Sequence, residues 1–111
     1  MGGVKMKEKI KKIINQVFEE KGIKVEKIIL FGSRARGEYE ALSDYDIFVV
    51  IKGDIDNLEK RKLKKEIYRS LHLAFPFSPF DIIVKTKKEF EAEKDIVNTL
   101  SNEVLSEGIE I

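Results

Sequence analysis

At 111 residues the chain has the size of one domain, 1–111, so a single core and no separate substrate-binding domain are expected. Its charged share of 37% is well above the usual quarter, yet 21 Lys and Arg against 20 Asp and Glu leave a net charge of only +1, which argues against a protein devoted to coating nucleic acid. With no cysteine there are no disulfides or thiolate metal sites, and with no membrane-length apolar run or signal-peptide core a cytoplasmic location is expected.

Met1 to Val4 reads as a loose start. Met6, Ile10, Ile13, Ile14, Val17 and Phe18 then recur at helical spacing, and Lys21-Gly22 ends that amphipathic helix with a left-handed glycine. Val25 to Phe31 reads as a strand. Gly32 to Ser43 is small, polar and charged, and Asp44 to Ile51 is again strand-like. Gly53-Asp54 marks a turn, and Asp56 with Glu59 makes a capping box for a helix to about Leu73 that buries Leu63, Ile67, Leu71 and Ala74. Phe75-Pro76-Phe77-Ser78-Pro79 is a loop, and Phe80 to Lys85 the third strand. Thr86 with Glu89 opens a last helix, through Phe90 and on to Leu105, which Gly108 ends. Ile109 to Ile111 is expected to pair with a sheet edge. The order α-β-β-α-β-α predicts an α+β fold, one small mixed sheet covered by helices.

Three features bear chemistry. At Phe31-Gly32-Ser33 a strand runs into a glycine that lets a phosphate approach the backbone, and into a serine able to cap a short helix whose free N–H groups face an anion. Arg34 and Arg36 add charge that can grip phosphate oxygens. Alone, this segment is also what an ordinary Gly-Ser turn looks like. Second, Asp44 and Asp46 lie two apart at the start of an apolar strand, so both carboxylates point to one face. Such neighbours repel, and a divalent cation such as Mg²⁺ relieves the repulsion. Taken alone, they read equally as a solvated strand end that discourages edge pairing. Third, Asp81 opens the apolar strand Phe80–Val84. If that strand lies beside Asp44–Ile51, Asp81 completes a carboxylate triad of the kind two-metal phosphoryl transfer needs.

Gly32-Ser33, ten intervening residues, Asp44-Tyr45-Asp46 and a later strand with Asp81 together resemble the motif of the DNA polymerase β superfamily. The wording Phe-Gly-Ser-Arg-Ala-Arg-Gly and the short chain are similar to its minimal prokaryotic nucleotidyltransferases, many of them antitoxins paired with a HEPN-domain ribonuclease toxin. The resemblance implies a nucleotidyltransferase fold. It implies that Gly32 and Ser33 bind the β- and γ-phosphates, with Arg34 and Arg36 in support. Asp44 and Asp46 would bind two Mg²⁺ ions, and Asp81 would hold the catalytic one and help activate the incoming hydroxyl. Mn²⁺ fits the same ligands.

The function expected is transfer of a nucleoside monophosphate, AMP from ATP foremost, to a hydroxyl of a partner protein. The resemblance points to a tyrosine of a HEPN-type toxin, and the sequence is compatible with a homo- or hetero-oligomer without fixing the oligomeric state. The competing reading is a non-catalytic antitoxin or nucleotide-binding subunit that acts by complex formation, for which the apolar run Ile96 to Ile111 would supply the contact surface. His72 reads as a helix-end residue and Tyr45 as core on the strand face opposite the aspartates. Phe75, Phe77 and Phe80 read as cover for the sheet edge, and the run Lys60-Arg61-Lys62 with Lys64-Lys65 as a solvated helix face with no strong nucleic-acid signal.

Overall fold

In the computed structural model, which describes residues 2–32 and 45–111 and only the backbone of 2–5, the N-terminal amphipathic stripe forms helix α1 (Gly2–Glu20). It buries Ile10, Ile14, Val17 and Phe18. The helix begins at Gly2, where a loose start was expected. Met6 packs on the core and its sulfur accepts a hydrogen bond from the Tyr45 hydroxyl (3.0 Å), and a helix already anchored extends at little cost. Gly22 takes φ 71°, and the chain reverses into strand β1 (Val25–Phe31).

Strand β2 (Tyr45–Ile51) pairs antiparallel with β1 and leads to helix α2 (Asn57–Ala74). Asp56 caps α2 by accepting from the Glu59 N–H at 2.8 Å, the one half of the expected capping box present among the described residues. Leu63, Ile67 and Leu71 are buried, but Ala74, expected on the same stripe, is exposed at the final turn, where Phe75 leaves helical geometry. Strand β3 (Phe80–Thr86) runs parallel to β2.

The single C-terminal helix expected is two. Helix α3 (Lys87–Glu93) opens with the full Thr86–Glu89 capping box, whose bonds measure 2.9 and 3.1 Å. It stops because Asn98 adopts φ 72° and the Thr99 hydroxyl turns back to the carbonyls of Glu93 (2.9 Å) and Ile96 (2.8 Å). The Thr99 oxygen also accepts from the Asn102 N–H and so caps helix α4 (Leu100–Glu107). Strand β4 (Ile109–Glu110) then pairs antiparallel with β1, as expected for the chain's last residues.

The sheet order is β3-β2-β1-β4, an α+β arrangement with helices on both faces. On one face α1 and α2 cover the main core, including Ile28, Leu30, Ile47, Val49, Ile82 and Val84. On the other, Phe90 of α3 and Val104 of α4 meet Ile29, Phe48 and Val50 in a smaller cluster. No helix among the described residues is long and apolar enough to cross a membrane.

Candidate functional site

The two-residue alternation of β2 divides its side chains between these layers. Tyr45, Ile47, Val49 and Ile51 enter the main core, whereas Phe48 and Val50 enter the smaller cluster and Asp46 shares their parity. On β3, Phe80, Ile82 and Val84 enter the main core, and Asp81 shares the face of Ile83 and Lys85. The parallel register sets Asp46 directly beside Asp81, on strands about 4.8 Å apart, so the two carboxylates emerge from one face at one end of the sheet.

Packing behind them holds this register. Tyr45 stacks on Phe80 with ring centroids 5.5 Å apart, and its N–H donates to the Pro79 carbonyl at 3.0 Å. The expectation that Tyr45 is core therefore holds. Phe75 packs against Phe80 at 6.1 Å and joins the cover, but Phe77 is 91% exposed and covers nothing among the described residues. His72 is exposed and stacks on Tyr68 near the end of α2 (5.9 Å).

Gly32 closes a third side. β1 brings Phe31 opposite Asp46, and Gly32 follows with φ 75°. A Cβ at Gly32 would run into the Asp46 Oδ2 oxygen, so the bare α-carbon is what lets the carboxylate lie against the backbone. The structure thus brings together Gly32, Asp46 and Asp81. Ser33, Arg34, Arg36 and Asp44 lie outside the described residues.

Asp46 is half-buried and Asp81 exposed. Two adjacent carboxylates of this kind offer hard oxygen donors of the sort that suit Mg²⁺ or Mn²⁺, and their mutual repulsion favours a cation between them. Among the described residues no three His, Asp or Glu side chains form a metal-holding group, so this pair would need a ligand from elsewhere, the position assigned to Asp44 by sequence.

A groove of about 680 Å³ runs from Asp81 along β3 to Lys85 and Glu89, walled by α2. Lys60, Arg61, Lys64, Lys65 and Tyr68 form that wall, recurring on one helix face. Sequence reasoning passed over the four cations as a solvated helix face, because only the strand order shows that they overhang an edge.

Comparison with known proteins agrees with this geometry. The family model described as Polymerase beta, Nucleotidyltransferase matches residues 8–111. A candidate protein adenylyltransferase of Methanocaldococcus jannaschii, MJ0141, is 34% identical over 102 residues, covering 91% of this chain and 90% of that protein. Two solved structures share the fold at 23% identity. One is a toxin-antitoxin with AMP-PNP (TM-score 0.58, 89% of this chain and 69% of that one), the other a variant of the toxin-antitoxin MntA-HpeT (TM-score 0.59, 91% and 70%). With the family model matching residues 8–111 and a relative 34% identical over 91% of the chain, this chain belongs to the polymerase β nucleotidyltransferase family, a family of enzymes.

Proposed function

We propose that the chain transfers the nucleoside monophosphate of an NTP, AMP from ATP foremost, to a hydroxyl on a partner protein. The observation that carries this reading is the placement of Asp46 abreast of Asp81, with Gly32 pressed against the Asp46 carboxylate. Gly32 and Ser33 supply backbone that the β- and γ-phosphates can approach, and Arg34 and Arg36 neutralise their charge. Asp44, Asp46 and Asp81 would hold the divalent ions that the family generally uses. Two Mg²⁺ ions, with Mn²⁺ equally compatible, would stabilise the charge that develops during phosphoryl transfer. Asp81, exposed at the strand end, orients the acceptor hydroxyl and takes up its proton as the oxygen bonds to the α-phosphorus and pyrophosphate leaves.

For the acceptor we infer a toxin protein of the HEPN type, modified on a tyrosine in the cytoplasm. Support comes from the adenylyltransferase relative and from the fold shared with toxin-antitoxin structures. The test is transfer of α-labelled ATP, with Mg²⁺, onto a co-expressed HEPN partner. Asp44→Asn, Asp46→Asn and Asp81→Asn should each abolish label while leaving the circular dichroism spectrum unchanged. Wild-type transfer by any of them would sink that residue's assignment.

A second reading rests on a separate observation. Ile96, Val97, Leu105 and Ile109 are between 41% and 74% exposed on the C-terminal segment, a surface suited to holding a partner without chemistry. Protection of the partner without ATP, at one chain per partner, would favour this binding antitoxin.

A further inference from the structure

The strand that carries Asp81 is the edge strand of the sheet, and its outer side is unpaired among the described residues. In the parallel ladder, Tyr45 lies opposite Phe80 and donates to the Pro79 carbonyl. That bond fixes the phase of the strand. The peptide groups of Asp81, Ile83 and Lys85 face β2, and those of Phe80, Ile82 and Val84 face the groove. The groove therefore offers a row of backbone donors and acceptors over an apolar floor of Ile82, Ile83 and Val84.

Its α2 wall is cationic. Lys60 is engaged with Glu89 and Lys85 with Glu93, which leaves Arg61, Lys64 and Lys65 as exposed cations with no ion pair to any described residue. Three unneutralised charges over an open strand edge complement an acidic polypeptide. The ready-made backbone ladder favours a peptide over a nucleic acid, as does the net charge of only +1.

We propose that this groove receives an extended acidic segment of the acceptor protein, which adds to the sheet as a strand beside β3. The proposal rests on the reading that the acceptor is a protein. Alternation in the added strand does the positioning. Side chains on one face line up with Asp81, Ile83 and Lys85, and those on the other meet Arg61, Lys64 and Lys65. A hydroxyl-bearing residue next to Asp81 is thereby presented to the carboxylates, with its immediate neighbours in sequence turned toward the cations. The preferred acceptor is a tyrosine, serine or threonine with acidic residues on either side.

The probe is a fluorescent peptide of β3's own length, 7 residues, with the sequence Glu-Val-Glu-Tyr-Glu-Val-Glu, measured by anisotropy without ATP. Binding should weaken about tenfold or more in the Arg61→Glu, Lys64→Glu, Lys65→Glu chain, whose changes all sit at exposed positions and leave its circular dichroism unchanged. The lysine-for-glutamate peptide should not bind, and N-methylation at alternate residues should abolish binding in one of its two phases. Bound peptide should slow amide exchange at Phe80, Ile82 and Val84. No binding, equal binding of the lysine peptide, indifference to both methylation phases or unprotected β3 amides would each overturn the proposal. So would a single-stranded RNA oligonucleotide that displaces the peptide and gives the same protection, which would assign the groove to nucleic acid. Asp46→Asn should bind the peptide as wild type does. A chain that binds the peptide but modifies no acceptor loses the enzyme reading, and one that modifies its acceptor yet ignores the peptide loses the groove.

Discussion

Gly22 and Gly32 share a backbone conformation, φ 71° and 75°, but not their surroundings. A Cβ at Gly22 meets nothing within 4 Å, whereas one at Gly32 collides with the Asp46 carboxylate. Gly22→Ala should therefore lose only the cost of a left-handed alanine, about 1 kcal/mol. Gly32→Ala should lose that and the cost of forcing the carboxylate aside, typically about 1–3 kcal/mol for overpacking, or about 2–4 kcal/mol together. Guanidinium unfolding of both variants gives the comparison directly. The excess should vanish when Asp46→Ala is added, because the Asp46 β-carbon lies 3.5 Å from where the new methyl would sit, an ordinary contact. The cycle thus isolates a coupling of about 1–3 kcal/mol between the two residues. Transfer by Gly32→Ala should fall about hundredfold through misplacement of Asp46, while Gly22→Ala keeps full activity. Equal destabilisation by the two alanines, together with undiminished transfer by Gly32→Ala, would refute the contact.

Ile67 is fully buried beneath the sheet, and Ile67→Ala should cost about 2–5 kcal/mol by chemical denaturation with little effect on nucleotide affinity. Burial alone would raise the pKa of Glu89, but its bonds to Lys60 and to the Thr86 N–H, with the Lys60 charge, bring it below the ordinary carboxylate value. A depressed carboxylate stabilises the fold above its unfolded pKa, and that stability is lost as pH falls through the folded value. Glu89→Gln should thus flatten the acid side of the stability curve below about pH 4.5, and an unchanged slope there would count against the pairing.

Most of the elements could be read from the sequence because local and tertiary signals agree. The stripe of α1, the β-branched runs and the Thr86–Glu89 box each specify the same structure at both levels. Asp81 was legible as a partner of Asp46 only on the condition that their strands are neighbours, since an aspartate at a strand start is often just a turn residue, and the parallel register of β2 and β3 meets that condition. The split between α3 and α4 was missed. Its signal was Asn98-Thr99, a left-handed turn residue followed by a helix cap, which outweighed the continuing apolar spacing. The groove was not legible at all, since five basic and aromatic residues on a helix become a wall only when the neighbouring strand is an edge.

The two layers over the sheet are unequal. Among the described residues the main core gathers 16 buried side chains and the smaller cluster 5, and it is the thinner layer that shares a face with Asp46 and Asp81. Opening free energy follows buried contacts, so among the described elements α3 and α4, whose buried Phe90 and Val104 belong to the smaller cluster, should loosen before the main core does. The strands bearing the carboxylates stay rooted through Ile47, Val49, Ile82 and Val84 in the thick layer. A lineage could then rewrite the helices around the site, and with them its partners, while the register that sets one carboxylate beside the other is inherited intact.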